Sequence, residues 1–201
     1  MKKWKIPAII GGVLLLLVMM IAESYNGMVS SRESVNTAWS KVESQYQRRS
    51  DLIPNLVNTV KGAANFEQET LTKVIEARSK ATQIKVDANN PDDIARFQQA
   101  QSQVSSSLSR LLAVAENYPQ LKATENFKDL QSQLEGTENR ITVARNDFND
   151  AARSYNTKIK SFPVNLLAGM FGFKERPYFE SDAGANKAPS VDFGTPTKQE
   201  N

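Results

Sequence analysis

The side chains able to do chemistry in this sequence are carboxylates, guanidiniums and aromatic rings, because histidine and cysteine are both absent. Their absence removes the imidazole general base, the thiolate nucleophile and the ordinary zinc site together. Two carboxylate pairs have spacing suited to acid–base work: Asp92 with Asp93, and Glu135 with Glu138. The first follows Asn90 and Pro91 and is better explained as a helix start, where acids meet the positive end of the dipole. The second lies on one helix face and reads as solvated. No motif recommends a Ser–Lys dyad, no glycine-rich phosphate loop follows a strand, and no Asp-rich calcium loop appears. The expectation is a chain with no catalytic residue, no cofactor and no metal.

Three constellations remain as candidates for binding. Arg48 and Arg49 stand beside Asp51 and either attract an anionic partner or form surface ion pairs worth ~0–1 kcal/mol; ion pairing is the favoured reading. Trp39 sits on an apolar stripe, as an interface anchor or, preferred here, as core. The run PVNLLAGMFGF over residues 163–173 either caps the end of a bundle or lies at a membrane interface, with Lys174 and Arg176 near lipid headgroups. Phe171, Phe173, Tyr178 and Phe179 follow the last core helix. Aromatics are enriched at interfaces, and one bundle end looks too small to bury all four. A homo-oligomer whose contacts include the apolar N-terminal helix and residues 163–180 is therefore expected.

The elements that must position these groups are helices. Strand signals are nearly missing, so the fold class is all-α. Phe127, Leu134, Ile141, Phe148, Tyr155 and Phe162 recur every seven residues, with Leu130, Thr137, Ala144, Ala151 and Lys158 between them. Such a seam predicts a long helix over 124–162, packed with coiled-coil geometry, capped by Thr124 and ended by Pro163. A second helix over 91–116 opens with Asn90 as cap and carries Ile94, Phe97, Val104, Leu108, Leu111 and Ala115 on its stripe. The Gln- and Ser-rich residues 98–107 outside that stripe read as a solvated face. Residues 23–86 show helical spacing throughout, with a kink or break expected at Pro54. Four helices result, about 23–53, 54–86, 91–116 and 124–162. They form an up-down-up-down bundle, or else 23–86 is one kinked rod retraced by the other two. Either way residues 163–180 return to the starting level. Residues 181–201 lack the apolar content to bury a core and are expected to be disordered.

Ahead of the bundle, Ile6 to Ala22 form an uncharged apolar run (IPAIIGGVLLLLVMMIA). Its length is at the short end of what crosses a bilayer. A cleaved signal peptide is the rival reading, but cleavage after Ala22 would need a small residue where Met20 stands. With no cysteine there is no lipoprotein site. The run is read as an uncleaved transmembrane anchor spanning Ile6 to Ala22, with Ala8, Gly11 and Gly12 as small residues that favour helix contact. Lys2, Lys3 and Lys5 precede it and Glu23 follows, so the N-terminus is expected in the cytoplasm and the helical domain outside it. The chain has 25 basic and 22 acidic residues, and every acid follows residue 22. Removing the three leading lysines leaves the helical part neutral, 22 against 22. No basic stripe invites nucleic acid. The expected partners are the lipid bilayer, further copies of the chain, and a membrane or envelope protein.

Several segments together resemble the bacterial LemA family. They are Tyr25-Asn26 with Val29, then VNTAWSKVESQYQRRSDLIPNLVNTV over 35–60, Lys61-Gly62, and Glu76 with Arg78. ENYPQLK over 116–122 follows, with Asn126-Phe127, Leu130-Gln131, Leu134, TENRI over 137–141, Arg145, Tyr155-Asn156 and Phe162-Pro163. Gly172-Phe173 and Tyr178-Phe179 close the match. Ala63-Ala64 and Phe148 depart from it, where the family tends to have an aromatic and a tyrosine. The resemblance covers about residues 23–180. It implies a single-pass membrane protein of the bacterial inner membrane, with an antiparallel helical bundle and no established enzymatic activity. A membrane-anchored scaffold or interaction module is the expectation; a non-catalytic subunit of a membrane enzyme or transport complex is the alternative.

Overall fold

The computed structural model describes residues 5–62 and 66–180; the expected disordered tail, the leading Lys2 and Lys3, and Ala63-Ala64 lie outside these residues. Six helices account for the fold: α1 Lys5–Lys61, α2 Gln68–Gln83, α3 Pro91–Ala115, α4 Pro119–Ala123, α5 Glu125–Lys160 and α6 Val164–Met170. Among the described residues there is no strand.

Helix α1 is a single element of 57 residues that carries both the apolar run and a quarter of the bundle. The break expected at Pro54 does not occur; the helix runs on to Lys61. A proline at 54 lacks the N–H that would bond the carbonyl four residues back, which is that of Ser50. Arg78 from α2 supplies the missing donor, its Nε–H reaching the Ser50 carbonyl at 2.8 Å. Ile53, Leu56, Val57 and Val60 are buried around the proline and hold it in place. The turn comes later, between Gly62 and Glu67.

From there the chain runs down α2, up α3 and down α5. Phe66 meets Tyr118 at the far end, whereas Arg78 reaches Ser50 midway along α1. At ~1.5 Å per residue α2 and α3 are about 24 and 38 Å long, against about 58 Å for α1 beyond Ala22. Four helices can therefore pack only in the distal half, around Leu56, Leu71, Val74, Leu111 and Phe127. In the half nearer the apolar run, α1 and α5 pack on each other through Met28, Val35, Val42, Phe148 and Tyr155. Ile94 and Phe97 from the start of α3, with Ala168 and Phe179 from residues 164–180, supply the rest of that core.

Asn90 caps α3 as its sequence predicts, its side chain accepting from the Asp92 N–H at 3.0 Å, with Pro91 in the first turn. Thr124 precedes α5 but does not cap it. Its hydroxyl donates backwards to the Leu121 carbonyl at 2.7 Å, closing the short α4 instead. The seam of α5 also departs from strict heptads. After Phe148 the buried positions are Ala152, Tyr155, Asn156 and Ile159, and the eleven residues from Phe148 to Ile159 over three turns depart from the 3.5-residue period of a left-handed supercoil. Ala151 is thereby only half-buried. Phe162 leaves the seam altogether and is 81% exposed. Lys158, also off the seam, passes its chain over Gly27, where a Cβ would stand 2.7 Å from the ammonium.

Candidate interaction surface at the anchor end of the bundle

Residues 171–180 decide the character of this end, because their backbone has no helix or sheet to satisfy it. Phe171 and Phe173 pack edge-on against Tyr25, with centroids 5.0 and 5.8 Å away. Arg32 then lies over the Phe173 ring, Arg176 bonds Asn36, and Phe179 stacks on Trp39. The partners on α1 thus climb from 25 to 39 as the segment advances, so it runs as an extended strap away from the apolar run. Only residues 163–173 remain at the starting level. The expected return of the whole stretch 163–180 to that level is corrected accordingly.

Amide side chains take the place of a neighbouring strand. Asn156 donates to the Arg176 carbonyl at 2.9 Å and accepts the Arg176 N–H at 2.8 Å. Asn149 does the same for Phe179, at 3.1 and 2.9 Å. Gln98 pairs with both backbone groups of Glu180, at 2.8 and 3.2 Å. Two asparagines seven residues apart on a helix are about 10.5 Å apart along its axis, and three residues of extended chain span about 10 Å. The two periods match. Tyr155 Oη donates to the Lys174 carbonyl at 2.9 Å, and burial pushes its phenol above the usual range.

Arg176 is buried, and desolvation lowers its guanidinium from the ordinary arginine value. Its bond to Asn36 Oδ1 is 2.9 Å. It faces the core side of the strap, so the expected approach to lipid headgroups is not available to it; Lys174 is exposed. The four aromatics divide. Phe179 is core, wedged between Trp39 and Phe148 with Arg145 over its ring. Phe173 is half-buried, whereas Phe171 and Tyr178 are exposed, with Tyr178 Oη accepting from Asn156. One bundle end therefore buries more of this segment than its size suggested, because the strap replaces missing helices. Trp39 is core, with Phe97 and Phe148 at 5.7 and 5.6 Å.

What faces outward at the level of Tyr25 is apolar. Phe162, Leu166 and Met170, spaced by four, are 81%, 63% and 78% exposed, while Leu167 and Ala168 of α6 turn inward. The apolar run of α1 beside them is exposed along its length and fits a transmembrane segment.

The other sequence candidates lie further along the bundle. Arg49 is no surface ion pair: it is 2% exposed. Its Nη1 donates to Ser105 Oγ at 2.7 Å and Glu138 Oε2 at 2.8 Å, and its Nη2 to the Gln101 carbonyl and Oε1. Asp51 instead accepts from Gln47, and Arg48 is exposed. Glu138, read as part of a solvated face, is the partner of Arg49, and Gln98, Gln101 and Ser105 turn the Gln/Ser face of α3 into a bonding surface. Asp92 and Asp93 serve the start of α3, where Asp93 accepts the Asp87 N–H and pairs with Arg96. Among the described residues no cluster of three metal-ligating side chains occurs. Sequence reasoning missed Asn149, assigned Arg176 to lipid headgroups and gave Asn156 no role; the one available signal was a buried-register asparagine beside Tyr155.

The sequence is similar to those of known proteins. The LemA family model matches residues 38–193. Magnetosome protein MamQ 2 of Paramagnetospirillum magneticum is 28% identical over 179 residues, covering 78% of this chain and 64% of that protein. Protein LemA of Metamycoplasma hominis is 29% identical over 143 residues, 71% of this chain and 63% of its own length. Magnetosome protein MamQ of Magnetospirillum gryphiswaldense is 27% identical over 180 residues, 80% and 66% respectively. The chain thus spans just under two thirds of the length of these relatives.

Proposed function

The chain belongs to the LemA family, and on that premise we propose that it is a non-enzymatic, membrane-anchored scaffold of the bacterial cell envelope. The observation that carries this reading is the continuity of α1, in which one helix is both the exposed apolar run and the spine of the bundle. The names of the relatives support it in a limited way: two refer to the magnetosome, and none of the three names a reaction. The three leading lysines support a cytoplasmic N-terminus and a helical domain outside the cytoplasm. In this reading Phe162, Leu166 and Met170 rest on the bilayer beside the anchor, since apolar side chains at interface depth gain by leaving water.

Because the chain has no cysteine, single cysteines report position cleanly. In lipid nanodiscs, Leu166→Cys and Met170→Cys should resist a water-soluble maleimide and be quenched by lipid-borne spin labels, while Asn117→Cys at the distal end reacts freely. Equal labelling at all three positions would remove the bilayer contact. Mass photometry of the same samples tests self-association: a multimer supports the homo-oligomer through the anchor and residues 163–180, and a monomer leaves that face to lipid. A stoichiometric partner copurifying with an enzymatic or transport activity would favour the subunit reading. Turnover by the purified chain, lost on changing one Asp or Glu, would overturn the scaffold.

A further inference from the structure

Midway along the bundle α2 ends at Gln83, and an opening remains between α1, the end of α2 and the start of α3. The cavity holds about 400 Å³, within the range of small-molecule sites. Ile53, Ala81, Val86, Phe97 and Val104 give it an apolar lining. Its charged members are Arg49, Arg78, Lys85 and Glu43. Arg49 contributes no free end, because both its terminal nitrogens are engaged with α3 and Glu138. Arg78 differs. Its Nε–H is committed to the carbonyl that Pro54 leaves open, which fixes the plane of the guanidinium while Nη1 and Nη2 take no acceptor among the described residues. Ser50, 9% exposed, also lines this cavity, and its buried hydroxyl has no partner among the described residues.

A held guanidinium offering two parallel donors suits a carboxylate or phosphate. Lys85 adds a second positive charge, against the single acid Glu43. The apolar lining selects for the rest of the ligand, since a bare inorganic ion would leave it uncovered. We propose that this cavity binds a small organic anion, a carboxylate or phosphate monoester carrying an apolar body of about one aromatic ring. The acid head lies on Arg78 and Lys85, and the body lies against Phe97, Val86 and Ile53. The site is independent of the scaffold reading and holds whatever that reading's fate.

The test uses the full chain in lipid nanodiscs and four probes: phenyl phosphate, benzoate, inorganic phosphate and benzyl alcohol, each titrated by calorimetry and by ligand-observed NMR with empty nanodiscs subtracted. Phenyl phosphate or benzoate should bind about tenfold or more tightly than inorganic phosphate, which lacks the body, and than benzyl alcohol, which lacks the charge. The better acid identifies the head group. Arg78→Met should weaken it by at least about tenfold. Since Arg78 also satisfies Ser50, Thr82→Trp at the exposed rim serves as the second variant, obstructing entry without touching the core, and should give a comparable loss. Failure of both acids to bind, equal affinity for benzyl alcohol, or undiminished binding in Thr82→Trp would overturn the proposal.

Discussion

Arg49 has a 2% exposed side chain whose carboxylate partner, Glu138, is half in water. The asymmetry sets what each truncation costs. Removing Glu138 leaves a buried cation with only neutral acceptors, so Glu138→Ala should destabilise by about 2 kcal/mol or more, well above the ~0–1 of an exposed pair. Denaturant unfolding of the detergent-solubilised protein measures this, and a loss under about 0.5 kcal/mol would mean the Gln101 and Ser105 acceptors suffice. At the start of α3 the sign of the pH effect is fixed by two carboxyls. The Asn89 N–H holds Asp87 below the usual range, and the Asp87 N–H with Arg96 does so for Asp93. Depressed values mean that the folded chain binds fewer protons than the unfolded one near pH 4. Their stabilising contribution is present above about pH 4 and is lost as pH falls through the lowered values. A carboxyl ¹³C titration of Asp93 should show its midpoint below the model-peptide value of ~3.9; a midpoint at that value would mean the turn is not closed in solution.

At the scale of the helices and the strap, Pro54 and Arg78 form a unit that can be separated. Arg78→Met orphans the Ser50 carbonyl, which should cost about 1–3 kcal/mol. Pro54→Ala restores the helical N–H, so the same change in that background should cost markedly less. Additive effects in this double-mutant cycle would show that the two residues do not share the carbonyl. Asn149→Ala with Asn156→Ala should free the strap, read as hydrogen exchange at Arg176 and Phe179 accelerated more than tenfold while α1 and α5 stay protected; unchanged exchange would mean aromatic packing alone holds it. These elements also show how far sequence carries. The extents of α3 and α5 were legible because an Asn-Pro start and a long apolar seam are local signals. Pro54 misled because its rescue arrives from Arg78, a residue 24 positions away, and no local rule sees that donor. The strap escaped for a related reason: residues 173–180 show neither period, and what orders them is amide pairing from two other helices. The anchor end was legible as apolar and aromatic, but which rings turn inward depends on the space left by two short helices.

For the whole molecule, orientation is the first matter to measure. Protease added to intact spheroplasts should digest the bundle; protection until lysis would place it in the cytoplasm. Intact mass decides the fate of the first 22 residues in the same preparation. The unbroken α1 has a mechanical consequence whichever side it occupies. No joint separates the membrane segment from the bundle, so any tilt of the one is a tilt of the other. Transmembrane helices lean by about 20° on average, and over the ~58 Å from Ala22 to Lys61 such a lean carries the far tip sideways by roughly 20 Å. Bilayer thickness would then steer the reach of the distal end, and if the exposed apolar side of α6 rests on the bilayer it acts as an outrigger that sets the direction of the lean.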